Sequence, residues 1–168
     1  WSGRDEVAQS QHRDEVAQGQ HRDEVAQGQH RDEVARGSTV SMHVALVEPE
    51  GELWSGNAEM VVARTLDGEI GLLTGHAPVI GILYEGSLVQ IRPDGGGPDV
   101  FAAVSGGFVS MADNRVSILA RQAQLGTAVD TSKAEALLTE ALGAAGAVGP
   151  EEPADVRYYR SLLRAAQG

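Results

Sequence analysis

Residues 106–120 read GGFVSMADNRVSILA, from Gly106 to Ala120, and their reading decides the fold. Two apolar runs of strand length, Gly107–Ala112 and Arg115–Ala120, are separated only by Asp113 and Asn114. Both residue types tolerate the positive φ that a tight hairpin link needs, so the pair predicts two strands joined directly, with no helical crossover between them. Upstream the same texture continues, and it predicts strands at Met42–Val47, Ala58–Arg64, Glu69–Leu73, Ser87–Arg92 and Val100–Val104. Pro49-Glu50-Gly51 and Leu66-Asp67-Gly68 supply turn residues, and Asp94-Gly95-Gly96-Gly97 reads as a loose hairpin loop. Short strands punctuated in this way belong to sandwiches and barrels, and no helix of useful length fits between them. The expectation is an antiparallel β-sandwich over residues 42–127.

At Asp130 the period changes. Ala134, Leu137, Leu138, Ala141, Leu142 and Ala145 follow the three-and-four spacing of an amphipathic helix, with Asp130 or Thr131 placed to cap it. Gly143, Gly146 and Gly149 weaken that helix, and Pro150-Glu151-Glu152-Pro153 ends it. A second helix is expected to start with Pro153 as its first residue, with acidic Glu151, Glu152 and Asp155 around its positive end, and to run to Ala166. Val156, Tyr159 and Leu163 form its expected apolar stripe, and Arg157, Arg160 and Arg164 a basic one at the same spacing. Residues 128–168 therefore read as a helical hairpin, each helix too short to persist without packing on something.

The first 41 residues are different. Arg-Asp-Glu-Val-Ala recurs at Arg4, Arg13, Arg22 and Arg31, a period of nine that advances a helix by two and a half turns. Equivalent positions fall on opposite faces, no continuous apolar stripe forms, and one Val and one Ala per unit offset little ordering entropy. Residues 1–41 are expected to be a disordered or marginally helical extension outside the fold, translated upstream of a natural start at Met42. The formal charge of −11 runs through both parts, which argues against nucleic acid as a partner. No cysteine is present, so disulfides, thiolate metal sites and cysteine nucleophiles are excluded. The longest apolar stretch, Ile70–Leu83, is broken by Thr74, His76 and Pro78 and is too short for a membrane span, which suggests a soluble, cytoplasmic protein.

Catalytic constellations are not legible. Val104-Ser105-Gly106-Gly107 is not a nucleophile elbow, and Gly95–Gly97 lacks the Gly-Lys-Ser/Thr of a phosphate loop. His43 and His76 are the only imidazoles after residue 41, and neither has an adjacent carboxylate pair or a spaced third ligand. The chain is expected to be no enzyme by itself and to need no cofactor or metal.

Taken in order, Met42-His43-Val44-Ala45-Leu46-Val47-Glu48-Pro49-Glu50-Gly51, Leu53-Trp54-Ser55-Gly56 and Gly68-Glu69-Ile70-Gly71-Leu72-Leu73-Thr74-Gly75-His76-Ala77-Pro78 form a specific series. With Ala103-Val104-Ser105-Gly106-Gly107-Phe108-Val109 and Asn114-Arg115-Val116-Ser117-Ile118-Leu119-Ala120, it resembles the epsilon subunit of bacterial F-type ATP synthase. Ala154-Asp155-Val156-Arg157 resembles actinobacterial members. The resemblance implies a β-sandwich with a two-helix C-terminal domain, and a central-stalk subunit that couples proton flow to ATP synthesis and restrains ATP hydrolysis. Its implied partners are the gamma subunit, the c-ring and, transiently, the catalytic subunits, at the cytoplasmic face of the bacterial membrane as a peripheral component.

Residue by residue, the resemblance implies a c-ring contact at Glu69 and His76, with Thr74 standing where the family usually has proline. It implies a regulatory ATP contact at Asp130 and Lys133, where Val129-Asp130-Thr131-Ser132-Lys133-Ala134 follows the outline of a nucleotide motif but carries Lys in place of Arg. Arg157, Arg160 and Arg164 are the implied contact with acidic surfaces of the catalytic subunits. The competing reading is a free-standing β-sandwich that binds carbohydrate or peptide. Against it, Trp54, Tyr84, Phe101 and Phe108 sit in or beside apolar runs and are expected in the core rather than on a sugar platform.

Overall fold

A computed structural model of the chain describes residues 41–146 and 151–168; the expectations for the nonapeptide repeat lie outside the described residues. Seven strands follow one another: β1 (Met42–Glu48), β2 (Gly51–Thr65), β3 (Gly68–Leu73), β4 (Val79–Ile82), β5 (Ser87–Pro93), β6 (Val100–Ala112) and β7 (Arg115–Leu125). A short 3-10 turn, Gly126–Ala128, leads to two helices, α1 (Thr131–Ala145) and α2 (Ala154–Gln167).

Long strands serve both layers of the sandwich. In one layer the order is β3, the C-terminal half of β2, β5, the start of β6 and the end of β7. The other runs β4, the rest of β6, the rest of β7, β1 and the N-terminal half of β2. Alternate residues of both layers point inward, and Met42, Val44, Leu46, Val61, Leu72, Val89, Ile91, Val104, Met111 and Ile118 are fully or almost fully buried between them.

The β6–β7 pairing is an uninterrupted hairpin from Ala102↔Leu125 to Ala112↔Arg115. Its two-residue link has φ 49° at Asp113 and 58° at Asn114, the positive pair that marks a type I′ turn. The strand runs expected at 100–104 and 107–112 are thus one strand, not two. Gly106 and Gly107 do not end it; they stand where β6 changes neighbours from β5 to β4. A Cβ on Gly107 would lie 1.9 Å from the Leu119 carbonyl oxygen of β7, so only glycine permits this close crossing at the bend.

Two further departures have physical causes. The sandwich is not wholly antiparallel, because β1 runs parallel to β7 from His43↔Arg115 to Val47↔Leu119. That pairing joins the first strand to the last and is invisible to hairpin logic. Strand β4 lacks the alternating signature, because its outward residues Ile80 and Ile82 are the large apolar ones while Gly81 faces inward against Thr65.

The helices form two further layers. α2 packs on β5, β6 and the 3-10 turn, and α1 packs on α2. Between α2 and the sandwich lie Ala103, Tyr158, Leu162 and Ala165, flanked by Leu88, Phe101, Tyr159 and Leu163. The buried side of α2 is therefore centred on Tyr158, Ser161, Leu162 and Ala165 together with Val156, and the expected stripe residues Tyr159 and Leu163 stand half-buried at its margin. On α1, Ala134 and Ala141 are buried but Leu142 is 48% exposed, because a single neighbouring helix covers a narrower stripe than the sequence offered.

Candidate functional site: two faces, one edge and a helix seat

The outer surface of the first layer is occupied by α2 over β5 and β6, and glycine makes the fit possible at both ends of that helix. A Cβ on Gly126 would sit 1.9 Å from the Ala165 carbonyl oxygen, and one on Gly86 2.5 Å from the Tyr158 amide nitrogen. Between these points Arg157 reaches back to the sandwich. Its Nε donates to the Glu85 carbonyl at 3.1 Å, its Nη1 donates to the Glu152 carbonyl, and its guanidinium lies over the Tyr84 ring at 4.8 Å from the centroid. Arg64 of β2 stands at 5.3 Å from the centroid of the same ring, so Tyr84 carries two cation contacts. Tyr158 is 6% exposed, and burial, followed by the charge of Glu48, pushes its hydroxyl up to about 12.

The structure brings together residues that the sequence had assigned to separate partners. Glu69, Arg157, Arg160 and Arg164 line one hollow of about 400 Å³ with Arg64, Tyr84 and Glu152. Arg160 pairs with Glu152, whereas Arg164 is exposed at the rim. The expected basic stripe is thus divided: Arg157 is half-buried and holds the tail to the sandwich, and only Arg160 and Arg164 are exposed.

Glu69 and His76 stand at the two ends of the β3 segment, Glu69 opposite Arg64 and His76 three residues past Leu73. Among the described strands β3 pairs only with β2, which leaves its other edge free. His76 is exposed, its Nδ1 2.7 Å from the Ala77 carbonyl oxygen. Asp130 caps α1, its Oδ1 accepting from the Lys133 amide at 3.0 Å. The Lys133 side chain lines a second hollow of about 380 Å³ with Gln122, Gln124, Tyr158 and Tyr159. Among the described residues no three His, Asp or Glu side chains are grouped as metal ligands would be.

Sequence reasoning missed the outer face of the other layer. Ile82, Phe108, Leu119 and Val47 lie side by side across β4, β6, β7 and β1. Ile80, Ser110, Ser117, Ala45 and Ser55 form the next row. Ile80 is 71% exposed, Ile82 60%, Phe108 39% and Leu119 37%, and no described helix covers them. Phe108 is therefore not a core residue, unlike the half-buried Trp54 and Phe101 that pack on the two apolar clusters. An apolar row beside a row of small side chains is a flat surface suited to close contact with another protein. The signal available in the sequence was the outward phase of Phe108 and Leu119 relative to their buried neighbours Val109 and Ile118.

The described residues thus form a two-layer β-sandwich with a helical hairpin seated on one face and an apolar surface exposed on the other. The family profile of the ATP synthase delta/epsilon chain β-sandwich domain matches residues 41–126. The ATP synthase epsilon chain of Streptomyces coelicolor is 48% identical over 127 residues, covering 76% of this chain and 96% of the relative. That of Thermobifida fusca is 44% identical over 131 residues, covering 75% and 92%. A chain of the Euglena gracilis mitochondrial ATP synthase, solved as an OSCP/F1/c-ring assembly, shares the fold with a TM-score of 0.62 at 23% identity, over 77% of this chain and 82% of that one. The chain belongs to the ATP synthase epsilon-chain family. Members of this family are subunits of the synthase and not its catalysts, and the matches do not favour a free-standing binding module.

Proposed function

We propose that this chain is a central-stalk subunit that couples proton flow to ATP synthesis, using the bare apolar face to hold the gamma subunit and the β3 edge to meet the c-ring. The observation that carries this reading is the row Ile82-Phe108-Leu119-Val47, which no element among the described residues covers, while α2 occupies the opposite face. Fully burying side chains of this size contributes roughly 1.5–3 kcal/mol each, enough for a few anchors to sustain a stable interface. No helix among the described residues is long and apolar enough to cross a membrane, in keeping with a peripheral position reached through partners. In this reading α2 in its seat is the resting state, and release of the tail presents Arg157, Arg160 and Arg164 to the catalytic subunits and restrains hydrolysis. In the same reading regulatory ATP would bind beside Lys133, which lines a hollow with Gln122 and Gln124, with Asp130 retained as the cap of α1.

The test is co-purification. The native chain should come down with gamma and the catalytic hexamer. Phe108→Asp places a charge in the centre of the face and should weaken capture by about 30-fold or more, at the scale of an interface hot spot. Its helical content should stay unchanged, since Phe108 lies outside the core. Equal capture of both proteins would remove this face from the assembly and with it the proposed role.

A further inference from the structure

We infer that Asn114 is a positioning residue that ties the two histidine-bearing segments of the domain into one polar contact surface at the ring-facing edge, an inference that rests on the c-ring reading above. Asn114 makes two bonds that lead to different parts of the chain. Its backbone carbonyl accepts from the His43 amide at 2.8 Å, and its side-chain oxygen accepts from the Gly75 amide at 2.7 Å. The first bond holds the beginning of β1. The second holds the β3–β4 loop, one residue before His76, across a sequence separation of 39.

The loop has little else to hold it. Leu73 to Pro78 are all exposed; the other backbone bond recorded within the loop runs from the His76 amide to the Leu73 carbonyl at 3.0 Å. The type I′ turn explains why asparagine can do this. With φ at 58°, Asn114 occupies a conformation that few side chains adopt, and its short carboxamide reaches sideways to the loop from the rigid end of the β6–β7 hairpin. His43 and His76, the only imidazoles in residues 41–168, thus each stand at or next to a group bonded to this one residue. Exposed Asp113 and Arg115 flank it in the chain. The surface so assembled carries donors, acceptors and both signs of charge, which suits the polar loops of a partner and not an apolar one.

The prediction separates the tie from the contact. Asn114→Gly keeps a residue suited to positive φ but removes the acceptor, and Asn114→Asp keeps both. In the full chain, amide hydrogen exchange at Gly75 should speed up about 5- to 10-fold in Asn114→Gly and hardly at all in Asn114→Asp, the scale of one lost hydrogen bond. In the reassembled synthase, proton-driven ATP synthesis should fall in Asn114→Gly in the same direction as in His76→Ala, and Asn114→Asp should restore it. Unchanged exchange at Gly75 overturns the tie. Faster exchange with full synthesis, while His76→Ala is impaired, overturns the positioning role. If His76→Ala alone leaves synthesis intact, the ring-contact reading fails, and the proposed surface falls with it even where exchange confirms the tie.

Discussion

The two outer faces of the sandwich differ in what covers them. One face carries Leu88, Phe101 and Ala103 and is closed by α2 through Tyr158, Leu162 and Ala165. The other carries Ile80, Ile82, Phe108 and Leu119 and is left open among the described residues. Both are apolar, so hydrophobicity does not distinguish them. What differs is the approach of backbone. Gly126 and Gly86 remove side-chain volume at two points on the first face, and α2 sits there at backbone contact. The second face is paved by isoleucine, phenylalanine and serine, and among the described residues no element packs on it. Apolar surface is therefore covered by α2 on one side and exposed on the other among the described residues.

The largest expected effect comes from filling the seat. Gly126 has an ordinary backbone conformation, so Gly126→Ala does not strain the local chain; its Cβ conflicts only with the Ala165 carbonyl of α2 and the backbone next to it. Overpacking typically costs about 1–3 kcal/mol, and a conflict with backbone falls at the upper end, so α2 should leave the sandwich, with its amides losing exchange protection while the β6–β7 hairpin keeps its own. Retained protection across α2 would mean that the seat is adjustable. A paired truncation compares the faces directly. Leu162→Ala should destabilise the fold by about 2–4 kcal/mol in denaturant melts, and Leu119→Ala by less than about 0.5–1 kcal/mol, because only the first leaves a cavity within this chain. Equal losses would erase the distinction between a closed and an open face.

A smaller change isolates the polar clasp. Arg157→Lys keeps the charge but cannot reproduce the planar fork that reaches the Glu85 and Glu152 carbonyls while lying on Tyr84, and it should weaken tail docking by about 1–2 kcal/mol. Full docking strength in this variant would assign the seat to apolar contact alone. The smallest effect is one of pH. Tyr158 is held neutral, with its hydroxyl pushed from an ordinary value near 10.0 up to about 12, so its contribution to docking is complete below pH 10.0 and declines as pH rises towards 12. Docking followed by exchange or fluorescence should weaken over that window, and Tyr158→Phe should remove the loss. An unchanged slope in the phenylalanine variant would point to another group.

Much of the fold was legible because its signals are local. The Asp113-Asn114 link, the Gly51 and Gly68 turns and the Asp130 cap each rest on the conformational preferences of two to four adjacent residues, and each occurs where the residues point. Strand β4 was missed because its inward position is a glycine and its large residues face out, which inverts the pattern that marks a strand. The continuity of β6 was missed because Gly106-Gly107 reads as a break, whereas glycine here admits the backbone of β7 at a bend. Of the candidate site, the individual residues were legible and their grouping was not. Nothing in the linear order of Glu69, Arg157 and Arg164 announces a shared hollow, and nothing in the basic spacing of α2 shows that Arg157 is bound to the sandwich.

By itself the sequence determined the strand-rich domain, its tight turns, the capped helical tail and, through ordered motifs along residues 42–168, the family. These properties follow from side-chain period and backbone preference over short spans. Only the tertiary structure decided that β1 closes against β7, that α2 occupies one face and leaves the other open, and that Asn114 holds a loop 39 residues away. Each of these depends on which distant surfaces fit without a Cβ, a buried charge or an unpaired amide in the way. That is a property of shapes meeting in space, which no local pattern encodes.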